Sequence, residues 1–244
     1  RGGHPRRGQG GPGVTISPDE VVFFTLGPLR VSATLVFTWV LMALLVVASA
    51  LVARGMGVEP PLGRGQLALE AVVAFVLDQI REVTKQEPEP YLPFAGTLFL
   101  FILTSNVLGV VPGFQSPTGS LMTTGALALA VFFAVPAFGI SRLGLRRSLR
   151  SYLEPNPLML PFTVLGEVSR TIALAMRLFG NVMSSSMIAA VLLAAAPLVF
   201  PALMQAFGLF FGVLHAYIFT VLALVYVASG ASQAERRADE GGNR

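Results

Sequence analysis

The longest apolar stretch of this sequence holds one permanent charge. Between Thr171 and Ser232 the Lys, Arg, Asp and Glu residues reduce to Arg177, in RTIALAMRLFGNVMSSS. An Arg at the centre of a bilayer costs at least ~2.5–3.5 kcal/mol, so a retained one faces a protein interior, a wet cavity or an anion. Arg170, Arg177, Asn181 and Ser184 are spaced by 7, 4 and 3, which places them on one helix face. Gly180 beside them removes side-chain bulk and lets another backbone approach. The chemistry on offer is attraction of an anion by a guanidinium that stays protonated when desolvated. No acid lies inside the stretch, and Glu167, ten residues before Arg177, belongs near its boundary. The counter-charge is therefore expected on another subunit. The competing reading is snorkelling: Arg170 is seven residues, or ~10 Å, away, and Arg177 can reach the interface if the boundary lies near residue 170. A polar stripe that continues two turns past the arginine weighs against it.

A weaker stripe follows in the last apolar run, where Gln205, Gly208, Gly212 and His215 are spaced by 3, 4 and 3. Small residues at that spacing ordinarily form a packing seam. A neutral imidazole in such a stripe can both donate and accept, as a proton relay must. Ser105 and Asn106, with Gln115, Ser116, Thr118 and Ser120 in a turn-rich segment, can line a wet entrance.

These side chains need helices to position them. Of 244 residues 54% are hydrophobic and only 12% charged, about half the charge of a soluble domain, so the chain reads as an all-α polytopic membrane protein. Spans of about 20 apolar residues fall at about 31–53, 92–111, 121–141, 158–196 and 201–232, which makes five transmembrane helices. The last two are long and separated by the Pro197 and Pro201 breaks, giving a tilted hairpin. Residues 66–86 (QLALEAVVAFVLDQIREVTKQ) carry Glu70, Asp78, Arg81, Glu82 and Lys85 largely on one side. That pattern suits an amphipathic helix in the membrane interface; a sixth crossing would bury several charges. Residues 18–232 thus form one membrane domain between a disordered, Gly/Pro/Arg-rich tail (1–17) and an aperiodic charged tail (233–244).

Short-loop bases set orientation. Arg54, Arg64, Arg81, Lys85, Arg142, Arg146, Arg147, Arg150, Arg236, Arg237 and Arg244 fall on one side, against Arg1, Arg6, Arg7 and Arg30 on the other. The C-terminus is expected to be cytoplasmic and the N-terminus outside. No Cys is present, which excludes a disulfide scaffold, a Cys-ligated metal site and a thiol nucleophile. Nothing in the sequence calls for a cofactor or a metal. The arginines flank apolar runs instead of clustering on a soluble face, so no nucleic-acid partner is expected.

RLFGN at 177–181 resembles subunit a of the F-type ATP synthase membrane sector. TWVLM at 38–42, SNVLGVVPG at 105–113, SPTG at 116–119 and LHAYIFTVLALVYVA at 214–228 resemble further segments of that family in the same order. The resemblance implies a non-catalytic subunit of the bacterial plasma membrane, set against a rotating c-ring of small hairpin subunits and joined to the peripheral-stalk subunit b, lipid and the rest of the complex. Arg177 would be the stator arginine that draws each ring carboxylate past it and blocks direct passage between two half-channels. Asn181 and Arg170 match family positions, Gly180, Gly208 and Gly212 would pack close to the ring, and His215 stands where the family usually has Gln.

The departures bear on the coupling ion. Ser186 and Gly208 stand where the family often has Glu or His, Ser120 where Asp is common, and Gly109 at an acidic position. His215, Ser184, Ser186, Gln205, Asn106 and water would then carry H⁺, or the ion is Na⁺, which hydroxyl, amide and carbonyl oxygens can hold. A free-standing secondary transporter would call for an inverted repeat, and the sequence holds none. A purely structural scaffold, with Arg177 paired to lipid phosphate, is the remaining alternative.

Overall fold

The computed structural model describes residues 22–26, 29–54, 64–111, 114, 116–146, 158, 160–195 and 200–242. The expected 1–17 tail, Gln115 and the 197–199 connection lie outside them. The described chain is helical apart from one departure from the all-α expectation. Strands β1 (Val22–Leu26) and β2 (Leu29–Ser32) pair antiparallel, with Thr25 opposite Arg30 and an irregularity between Val22 and Phe24. The aromatic and β-branched run VFFTL favours extended backbone, and Gly27-Pro28 in the sequence between the strands is a turn dipeptide.

Six helices follow. Helix α1 spans Ala33–Arg54, α2 Arg64–Thr84, α3 Leu92–Leu108, α4 Leu121–Leu143, α5 Leu160–Ala195 and α6 Phe200–Gly242. A one-turn 3₁₀ segment at Pro117–Gly119 precedes α4. Thr34–Val52, Leu121–Arg142 and Gln205–Gly230 are long and apolar enough to cross a membrane, while Leu92–Leu108 is a shorter apolar helix.

Local chemistry explains the ends. Ser120 caps α4, its hydroxyl accepting from the Met122 amide at 3.2 Å, as an N-cap serine does. Gly144 closes the same helix at φ 79°, a conformation a Cβ would strain. Helix α6 runs on to Gly242, through residues expected to form an aperiodic tail. A helix already nucleated extends at little cost through good formers such as Ala, Glu and Arg.

Helix α6 is the hub, packing on α2, α3, α4 and α5. Leu98, Ile102, Val131, Leu174, Leu178, Phe219, Leu224 and Val227 form the buried centre. The outer face of α1 stays apolar and exposed at Trp39, Val46 and Leu51. Lipid tails are as apolar as leucine, so close packing and interhelical hydrogen bonds hold such a bundle together. Helix α2 buries Val76 and Ile80 and leaves Glu70, Asp78, Arg81 and Glu82 exposed. Tyr217 Oη on α6 donates to Gln79 Oε1 on α2 at 2.9 Å and so fixes this amphipathic helix against the hub.

Candidate functional site

Helix α5 carries RLFGN. Leu174 and Leu178 are buried in the bundle, and Arg177, three residues from Leu174 at the edge of that buried face, is exposed together with Asn181 and Ser184. Arg177 is in neither of the ion pairs Arg81–Asp78 and Arg170–Glu167 seen among the described residues. A Cβ built on Gly180 meets nothing within 4 Å. The guanidinium and the open glycine therefore share a bare stretch of helix.

Asn181 reaches across to α6, where its Nδ2 lies 2.6 Å from Nδ1 of His215. His215 is 4% exposed and close enough to Arg177 to feel its charge. An amide nitrogen donating to Nδ1 leaves the ring proton on Nε2. That Nε2 is buried without a hydrogen-bond partner among the described residues. Interior polar atoms are nearly always paired, so this nitrogen stands out from the rest of the buried polar groups.

Other expected site residues are arranged differently. Arg170 is occupied within the chain: Glu167 Oε1 lies 3.2 Å from its Nη1, and its guanidinium carbon lies 5.1 Å from the centre of the Tyr226 ring. Ser105, Thr118 and Ser120 are not a wet entrance within this chain, since they are 0%, 0% and 1% exposed. Ser105 Oγ lies 3.0 Å from Ser116 Oγ, and Ser116 Oγ lies 2.7 Å from Thr118 Oγ1. Thr118 then donates to Asn106 Oδ1 at 2.8 Å, and Asn106 Nδ2 donates to the Gly212 carbonyl at 3.0 Å.

Gly212 accordingly faces α3. A Cβ there would lie 2.8 Å from the Asn106 Cβ, whereas one on Gly208 meets nothing within 4 Å. Gly208 and Gly180 stand open, whereas the space beside Gly212 is filled by the chain itself. Gln205 is exposed on α6, and the Ser186 side chain lies outside the described residues. Among the described residues no cluster of His, Asp and Glu is suited to a metal ion. Sequence reasoning missed the Arg170–Tyr226 stack and the Tyr217–Gln79 bond, which no local periodicity announces.

Residues 35–228 match the family model described as ATP synthase A chain. The chain is 55% identical over 222 residues to "ATP synthase subunit a 2" of Picosynechococcus sp., covering 91% of this chain and 95% of that one. It is 52% identical to "ATP synthase subunit a 2" of Acaryochloris marina over 91% of this chain and 94% of that one. With "ATP synthase subunit a 1" of Chlorobaculum parvum it shares 51% identity over 91% of this chain and 98% of that one. Likeness of this extent, with RLFGN carried on α5, makes the chain a member of the F-type ATP synthase subunit a family.

Proposed function

We propose that this subunit of a rotary ATP synthase is the ion-conducting stator, in which Arg177 couples H⁺ translocation to rotation of a c-ring. Arg177 itself carries the reading: an exposed guanidinium in an apolar helix, beside Gly180, where a Cβ meets nothing within 4 Å. A charge so placed needs an anion, and the carboxylate of each ring subunit supplies it in trans. Attraction draws the deprotonated carboxylate to Arg177, and the fixed positive charge repels cations that would pass directly between two half-channels. Each unit charge crossing the membrane contributes about 2.3 kcal/mol per 100 mV, so a leak past this residue wastes the drive for rotation.

The polar path around the arginine is assigned to Asn181, His215, Ser184 and Gln205, with Ser186 a further candidate from the sequence. The buried Nε2–H of His215 is the group offered to a translocated water. Gly180 and Gly208 let the ring approach. Five crossings with α5 and α6 as a tilted hairpin, an interfacial α2, a cytoplasmic C-terminus in the bacterial inner membrane and contact with subunit b complete the assignment. ATP chemistry belongs to other subunits. The neutral hydroxyls and amides near the site favour Na⁺ as the second reading.

The assembled complex decides the matter. With Arg177→Ala, intact assembly and loss of ATP-driven pumping support the stator role, and normal pumping overturns it. ATP hydrolysis stimulated by Na⁺ at alkaline pH assigns sodium; uncoupler-sensitive acidification without stimulation assigns H⁺.

A further inference from the structure

We infer that Asn106 is a positioning residue, a latch between α3 and α6 that sets His215 against Asn181, and that it does not itself pass ions. The inference rests on the proposed role of the Asn181–His215 pair. Its first support is the direction of the hydrogen bonds. Thr118 spends its only hydroxyl proton on Asn106 Oδ1, so in the 2.7 Å contact Ser116 must be the donor. With that proton spent, Ser105 must be the donor to Ser116. The chain runs one way, from Ser105 through Ser116 and Thr118 to Asn106, and ends on the Gly212 carbonyl. A hydroxyl chain relays protons by accepting one and releasing another, but an amide N–H on a backbone carbonyl has nothing to release. The array is closed, and it holds elements together.

The second support is steric and independent of the first. The missing Cβ of Gly212 leaves room for the Asn106 side chain, whose Cβ lies 2.8 Å from where that atom would stand. Contact and hydrogen bond together fix both the height and the rotation of α6 at residue 212. His215 lies three residues on, nearly one turn along the same face. A shift of α6 at Gly212 carries the imidazole with it, and a 2.6 Å contact to Asn181 tolerates little movement. The 3₁₀ turn, through Thr118, is the outer anchor, and Asn106 transmits its position to the site.

The test reads geometry first. The chain has no Cys, so Asn181→Cys with His215→Cys in the full complex can be joined by a short bis-methanethiosulfonate bridge. Arg170→Cys with Tyr226→Cys, a contact elsewhere between α5 and α6, is the control pair. Adding Asn106→Ala, or the milder Thr118→Val, is expected to cut the 181–215 bridging yield several-fold and leave the 170–226 yield unchanged. An unchanged 181–215 yield, or an equal fall in both, overturns the latch. If Asn106→Ala prevents assembly, Thr118→Val is read in its place. ATP-driven pumping should fall by about tenfold with Asn106→Ala, the equivalent of one lost hydrogen bond, and no further when His215→Ala is already present. Bridging does not depend on pumping, so a failure of the stator reading leaves the latch result standing on its own.

Discussion

Nδ2 of Asn181 lies 2.6 Å from Nδ1 of His215, a hydrogen bond that joins α5 to α6 one turn from Arg177. The amide and the imidazole thus form one pair across the two helices, and the exposed Arg177 stands one turn before Asn181 on α5.

If the pair works as a unit, losses at its two members do not multiply. Asn181→Ala and His215→Ala are each expected to lower ATP-driven pumping by about tenfold, near the free energy of one hydrogen bond in the interior. The double variant should fall hardly further. Quenching of a pH-sensitive dye in inverted vesicles, at equal complex content, measures this; fully multiplicative losses would show that the two side chains act separately.

The three glycines of the site should separate into two kinds. Gly212→Ala drives a Cβ to 2.8 Å from that of Asn106, and overpacking of this sort costs about 1–3 kcal/mol. The subunit itself should become less stable, with less of it in the membrane. Gly180→Ala and Gly208→Ala meet nothing in the chain. They should leave its membrane level unchanged and lower pumping by crowding the ring. Immunoblots and pumping assays on the same vesicles separate the outcomes, and a fall in membrane level with Gly180→Ala would contradict the open placement.

Far from the site, α4 and α6 meet where a Cβ on Gly230 would run into Cγ1 of Val135. Gly230→Ala should lower the thermal midpoint of the detergent-solubilised complex, by an overpacking cost of about 1–3 kcal/mol. Val135→Ala in the same chain should recover most of it. No recovery would place the fault elsewhere.

Arg170 and Arg177 should answer differently to the same exchange. Arg170 is held by Glu167 at 3.2 Å and lies over the Tyr226 ring, but its side chain is 36% exposed. A pair that open contributes at most about 1 kcal/mol. Arg170→Lys should therefore retain pumping within about fivefold. A loss as complete as that expected at Arg177 would assign Arg170 a direct part in translocation.

How far the sequence announces this arrangement depends on the range of each interaction. The apolar run of α1, the one-sided charges of α2 and the lone arginine of α5 are local patterns, and each can be read from spacing. The exposure of Arg177 is not local: it stands three residues from buried Leu174, at the edge of the inward face, and the placing of the neighbouring helices leaves it uncovered. Asn106 and Gly212 stand 106 residues apart, and Tyr217 and Gln79 stand 138 apart. No local pattern encodes such pairings, so Gly212 reads as a ring-facing glycine and Thr118 as part of a wet entrance until the helices are placed. The β1–β2 pair escapes for another reason: a short apolar run without alternation does not distinguish strand from the start of a helix. The stretch beyond residue 232 lacks apolar periodicity in the sequence, and its helix continues because α6 is already formed.

The central claim is that Arg177 is the charge that both draws the ring carboxylate and bars direct passage of ions. Reconstituted complex carrying Arg177→Ala, with its subunit composition verified, tests both parts in one preparation through ATP-driven pumping and passive ion flux under an imposed potential. The expected result is loss of ATP-driven pumping together with passive flux above that of the unaltered complex. Pumping at the unaltered rate, with no rise in passive flux, would contradict the claim.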